Sequence, residues 1–161
     1  MCTITLIRSR PLLPSDDIEK SKAWIQGCFD RETWNFVVEL LPHALGASTS
    51  SPRVIGLIGA VRPPEVGYMF NNNYWGKGYA TEALRGFIPL FFKSFSGDKQ
   101  ERFEYAEAHT DPELVASQHV LEKVGFQLHE LREKDFENPV LGLRDTLVYR
   151  MYRPATHDGG A

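Results

Sequence analysis

A chain of 161 residues that is 42% hydrophobic, 12% aromatic and 24% charged can bury one core, which excludes a disordered or fibrous protein. This predicts a single domain over residues 1–153 with a disordered tail at 154–161. A net charge of −3 argues against a nucleic-acid surface, and two cysteines, Cys2 and Cys28, are too few for a disulfide scaffold and have no metal-ligand company, which fits a reducing compartment. No apolar run approaches the roughly 20 residues of a membrane span, and residues 1–14 lack the apolar centre of a signal peptide, so a cytoplasmic protein is expected.

In chain order, Ile4 and Leu6 alternate within residues 1–13 as a possible edge strand, limited by Pro11 and Pro14. Ser15 is the expected N-cap of a helix over 16–29, with Ile18, Trp24, Ile25 and Cys28 as its apolar members. Residues 33–41 read as a half-buried strand with Trp34, Phe36, Val38 and Leu40 on one face. A polar, proline-bounded connection at 42–52 leads to a second strand at 53–61, whose Gly56 and Gly59 permit close approach. Pro63-Pro64 turns the chain into a third strand at 66–70, antiparallel to the second because the connection is so short.

The most informative stretch follows. Residues 66–84, VGYMFNNNYWGKGYATEAL, read as strand, glycine-rich loop and helix. Gly76 and Gly78 remove Cβ atoms where the loop turns, so backbone N–H groups can approach a ligand. The helix leaves its first amides unpaired and carries a partial positive charge there, which together make an anion site suited to phosphate. Dinucleotide-binding loops share the Gly-x-Gly element but expect a third glycine where Thr81 stands. The helix is marked by Ala80, Ala83, Leu84, Phe87, Ile88 and Phe91, and Pro89 predicts a kink or an end shortly after.

After a polar turn at 94–100, residues 102–110 read as a strand parallel to that at 66–70, with Phe103 and Tyr105 on one face and Ala106 and Ala108 on the other. Asp111-Pro112 predicts a helix start, Leu114, Val120, Leu121 and Val124 its apolar side, and Gly125 its end. Two last strands, 126–131 and 143–152, are joined by a charged loop at 132–142.

The pair YWGKGYATEA (74–83) and DPELVASQHVLEKVGF (111–126) resembles the GNAT superfamily of N-acetyltransferases, in the branch of the ribosomal-protein-alanine enzymes RimJ and RimL. The resemblance covers residues 15–152. It implies a mixed α/β fold with a splayed sheet of six to seven strands flanked by helices. Acetyl-CoA would lie between the strands at 66–70 and 102–110, and an amine would attack it directly, with no metal and no covalent enzyme intermediate.

On this resemblance the pyrophosphate rests on the amides of Trp75, Gly76, Lys77, Gly78, Tyr79, Ala80 and Thr81. The backbone of Met69, Phe70 and Asn71 pairs with the pantetheine arm, and the N–H of Met69 or Phe70 serves the oxyanion. Glu65 is the candidate base, a solvated turn residue being the competing reading, with Glu82 and His109 in reserve. Ser117 matches a serine placed near the sulfur, since Leu121 stands where the superfamily often has tyrosine, and Lys123 could reach a phosphate.

Two positions depart from the pattern: Leu114 replaces a cofactor-contacting Asn, and only about fourteen residues precede the segment that matches the family's second helix. The expected partners are acetyl-CoA and a primary amine, with no nucleic acid, no membrane and a possible homodimer. A CoA-binding module without turnover and a nucleotide-binding α/β protein are the alternatives.

Overall fold

In a computed structural model, residues 2–4, 17–30, 34–40, 53–97 and 101–155 are described. The elements run β1 Cys2–Ile4, α1 Ile18–Asp30, β2 Trp34–Leu40, β3 Arg53–Arg62, β4 Glu65–Asn71, α2 Tyr79–Ser94, β5 Tyr105–Thr110, α3 Val115–Val124, β6 Gln127–Asn138 and β7 Gly142–Tyr152. They form a seven-stranded mixed sheet ordered β2-β3-β4-β5-β7-β6, with β1 attached to β4. This is the expected mixed α/β fold.

The antiparallel run β2-β3-β4 follows from short connections and from glycines that admit close neighbours. A Cβ at Gly59 would lie 2.2 Å from Asn35 Oδ1 and one at Gly56 2.5 Å from the Met69 carbonyl, so both positions require glycine. β4 and β5 are parallel, as a strand-helix-strand unit demands, but their recorded pairing is a single register point, Glu65 opposite Glu107. Beyond it β4 is paired on that side by β1, with Ile4 opposite Met69 and Cys2 opposite Asn71. The sheet is therefore split where the sequence placed the ligand.

One face of the sheet is covered by α2, which buries Leu84, Phe87, Ile88, Phe91 and Phe92. Phe91 meets Phe95 at 4.9 Å and Phe103 at 6.3 Å between ring centroids, and Trp34 reaches Phe95 at 5.2 Å. Burying each of these large side chains contributes on the order of 1.5–3 kcal/mol, and together they fix α2 across the sheet.

Several boundaries differ from the sequence reading. Asp17 caps α1, its Oδ1 accepting from the amides of Glu19 (2.9 Å) and Lys20 (3.2 Å). α2 does end shortly after Pro89, at Ser94, where the polar turn was expected: Pro89 is exposed, and buried Phe91 and Phe92 hold the turn beyond it. Phe103 precedes β5 and packs on Phe91 and Phe95, whereas Tyr105 lies against Arg150.

Helix α3 starts at Val115 rather than at Pro112, because Asp111 is engaged by Arg144 and closes a turn instead. The charged segment 132–142 is strand for most of its length: β6 and β7 pair out to Asn138 opposite Gly142, around an irregularity between Arg132 and Phe136. Asn138 Oδ1 closes that hairpin by accepting from the amides of Val140 (2.9 Å) and Leu141 (3.0 Å). The connection at 42–52, Leu6, Ser15 and the tail from 156 lie outside the described residues.

Candidate active site

The loop between β4 and α2 is shaped by three local causes. Asn71 Oδ1 accepts from the Asn73 amide (3.0 Å) and starts a 3-10 turn over Asn72–Tyr74. The Trp75 indole then donates to the Phe70 carbonyl (2.9 Å), pinning the loop back to the strand. Gly76 and Gly78 adopt φ +71° and +83°, a left-handed region in which a side chain is strained, and a Cβ built at either would meet nothing within 4 Å. The space in front of them is open.

Gly78 is the N-cap of α2 and offers no side chain to its amides. The N–H groups of the first turn, from Tyr79 to Thr81, are thus left for a ligand. They face a cleft of about 330 Å³ that also carries Tyr68, Phe70, Trp75, Gly76, Gly78 and Ala80 on its β4-α2 side. Ser117 and Lys123 border it from α3. Nine of the sequence-derived site residues are thereby brought together in its lining: Phe70, Trp75, Gly76, Gly78, Tyr79, Ala80, Thr81, Ser117 and Lys123; Met69, between Tyr68 and Phe70 on β4, is not among them.

Others stand apart. Lys77 turns away from the cleft, its Nζ donating to the Asn73 carbonyl (3.1 Å) and sitting 5.5 Å from the centre of the Tyr74 ring. Asn71 spends its side chain on the 3-10 cap, so only its backbone remains for an arm lying along β4. That backbone edge, from Met69 to Asn71, is the one β1 pairs. Glu82 is exposed in the first turn of α2 and does not line the cleft.

Tyr68, Ala116 and His119 line the cleft but escaped the sequence reading. Tyr68 alternates with Met69 along β4, points to the helix side and places its hydroxyl 2.9 Å from Ser117 Oγ. Burial raises its pKa to about 12, partly countered by that hydrogen bond, so the phenol keeps its proton across the physiological range. The available signal was the alternation itself, since Val66, Tyr68 and Phe70 share one side of the strand.

Glu65 belongs to the opposite face, where it meets a second polar cluster. Its Oε1 is 3.6 Å from His109 Nδ1, and its Oε2 is 3.6 Å from an Arg62 guanidinium nitrogen. His109 Nε2 lies 2.8 Å from Glu107 Oε1, and Arg150 Nε donates to Glu107 Oε2 at 2.7 Å. Burial pushes the Glu107 carboxyl up, but its hydrogen bonds with His109 and Arg150 outweigh that and hold it below its ordinary value. The strand register explains the grouping: Glu65 stands opposite Glu107 in the parallel pair, and Glu107 opposite Arg150 in the antiparallel one.

Among the described residues no group of three or more His, Cys, Asp or Glu could hold a metal, and no helix is long and apolar enough to cross a membrane.

Comparison with known proteins places this geometry. Residues 7–127 match the acetyltransferase (GNAT) domain. An uncharacterized N-acetyltransferase, p20, of Bacillus licheniformis is 30% identical over 89 residues, 55% of this chain and 46% of p20, so the chain spans about half the length of that relative. The fold is that of a GNAT-family acetyltransferase from Bacillus anthracis (TM-score 0.67, 22% identity, 84% of this chain and 75% of that one). It is also that of the microcin C7 self-immunity acetyltransferase MccE, solved with acetyl-CoA and AMP (TM-score 0.64, 16% identity, 86% and 73%). With the family matched over most of its length and the glycine loop, open helix start and split sheet in place, this chain belongs to the GNAT acetyltransferase family.

Proposed function

We propose that the protein is an acetyl-CoA-dependent N-acetyltransferase that acetylates a primary amine, a protein N-terminus or a small amine, by direct attack within a ternary complex. Its two motifs favour the RimJ/RimL-like branch. The observation that carries the reading is the cleft, with unpaired helix amides behind two left-handed glycines at one end and the Tyr68–Ser117 hydroxyl pair on its floor.

The residues fit the coenzyme. The amides at 75–81 would hold its diphosphate, aided by the Lys123 ammonium and the positive end of α2. The open space before Gly76 and Gly78 is what a phosphate on the backbone requires. The arm would use the Met69–Asn71 edge, which means displacing β1. Bound there, acetyl-CoA supplies a thioester as the activated acetyl donor.

The chain's own groups do the rest. An amine that is protonated at neutral pH must lose a proton before attack, and Glu65, on the face of β4 away from the cofactor cleft, is the base that takes it. Ser117, kept hydrogen-bonded to a phenol that stays protonated, holds a proton ready on the other face for the departing sulfur. Strand alternation thus separates base from acid across the split.

The test is thermal unfolding with acetyl-CoA, followed by free-thiol release with an amine panel containing spermidine and an alanine-led peptide. Protection of a few kcal/mol at saturating acetyl-CoA together with thiol release supports the reading, and no protection ends it. A CoA-binding module without turnover is the second reading, favoured by β1 on the β4 edge and by Leu114 in place of the family's Asn. Protection without thiol release from any amine would select it.

A further inference from the structure

We propose that Glu65 and His109 share one exchangeable proton and act as a single base, with Glu107 and Arg150 as the positioning residues that set its tautomer. The role of the pair in catalysis rests on the acetyltransferase reading, while the shared proton does not.

The argument begins with Glu107. Its carboxyl is held ionised, so both oxygens only accept: Oε2 takes a hydrogen from Arg150 Nε, and Oε1, 2.8 Å from His109 Nε2, requires a hydrogen on that nitrogen. The neutral ring is thereby fixed as the Nε2–H tautomer, which leaves Nδ1 as a bare lone pair. His109 is 5% exposed and its Nδ1 has no hydrogen-bond partner, an unusual state for a buried polar atom.

Its nearest charged neighbour is Glu65 Oε1 at 3.6 Å. An ionised oxygen and a bare nitrogen lone pair repel at that distance, and a proton between them turns the repulsion into an ion pair or a hydrogen bond. Glu65 from β4 and Glu107 from β5 approach the ring directly, and Arg62 from β3 and Arg150 from β7 each lie one carboxylate further away. Tyr105 and Tyr152 face Arg150, and Asp111 at the end of β5 is already neutralised by Arg144.

The proton path balances. The pair enters the cycle without its shared proton: an acceptor ammonium passes a proton to a Glu65 oxygen, Glu65 Oε1 hands it to His109 Nδ1, and the imidazolium lies between two carboxylates. After the product leaves, the proton returns through Glu65, whose side chain is 14% exposed, to solvent. His109 acts through Glu65 and does not meet the substrate.

The experiment is a pH titration of the His109 ring by 15N NMR in the full chain and in Glu65→Gln and Glu107→Gln. The neutral ring should be the Nε2–H tautomer, lost in Glu107→Gln. In Glu65→Gln the proton on Nδ1 should be lost at lower pH than in the full chain. A His109 titration indifferent to Glu65→Gln, or a neutral ring protonated at Nδ1, overturns the proposal. If Glu107→Gln does not fold, Glu65→Gln decides alone.

With acetyl-CoA and spermidine or an alanine-led peptide, His109→Gln should lower kcat by about tenfold or more and move the acidic limb of kcat/KM to lower pH. An unmoved limb counts against the relay. Should acetyl-CoA neither bind nor turn over while the Glu65→Gln shift is present, the acetyltransferase reading fails and the shared proton stands.

Discussion

The molecule contains two strand-to-helix connections of the same topology, β4 to α2 and β5 to α3, and they finish in opposite ways. The first passes through two left-handed glycines and begins its helix on Gly78, which has no side chain to cap with. The second passes through Asp111, which satisfies the Glu113 amide at 2.8 Å and is gripped by Arg144 through both carboxylate oxygens at 2.8 and 2.9 Å. One helix start is left open to an anion from outside, while the turn leading to the other carries its own anion in Asp111. Topology places a ligand-accepting end at both connections, and the side chains decide which one keeps it.

The largest effect that would break this comparison is Gly78→Val. A β-branched residue in the left-handed region costs about 1–2 kcal/mol, and its side chain would stand in the open space before the amides. The fold should survive, whereas thermal protection by acetyl-CoA should vanish; retained protection would mean that the coenzyme is held elsewhere. Ser117→Ala comes next. It takes from the buried Tyr68 hydroxyl its 2.9 Å partner and should destabilise by about 1–3 kcal/mol in urea unfolding, with Tyr68→Phe in the same background restoring part of the loss.

Arg144→Met sharpens the comparison through pH. Its guanidinium is the main cause of the lowered Asp111 pKa, so the pair stabilises the fold above the unfolded carboxyl value near 3.9 and loses that contribution as pH falls through the lower folded value. Wild type should therefore melt higher than Arg144→Met at pH 7, and the two should converge as pH falls through the lowered folded value. A constant difference across that range would show that packing, not charge, holds Arg144. The smallest effect expected is a gain: Leu114→Asn supplies the α3 N-cap position with an oxygen and should stabilise by up to about 1 kcal/mol in the same unfolding assay.

What could be read from the chain alone follows from this contrast. The loop at 74–81 was legible because its requirements are local: a positive φ demands glycine, and an apolar period of 3.6 announces the helix behind it. The antiparallel turn into β4 and its parallel relation to β5 were legible from connection lengths, whereas the order β5-β7-β6 was not read from them. The start of α3 was not, because Asp111 answers to Arg144, a residue 33 positions away whose approach depends on strand pairing.

The β6-β7 hairpin was missed for a similar reason. Residues 132–138 look like a solvated loop by composition, and it is their cross-strand partners on β7 and the Asn138 turn that hold them extended. Tyr68 and the Glu65–His109–Glu107–Arg150 cluster share this origin. Each is unremarkable in its own segment and acquires a partner only when strands of different sequence distance are laid side by side.

The short strand β1 has a consequence for how fast anything can enter. On the proposed reading, Cys2–Ile4 and an incoming pantetheine would compete for a single row of hydrogen-bonding groups on Met69–Asn71, so association would wait for a strand to peel away. Apparent affinity is then reduced by the fraction of molecules with the row exposed. Stopped-flow mixing should show an observed rate that levels off with rising coenzyme concentration, the plateau reporting the peeling step, and deleting residues 1–6 should remove it.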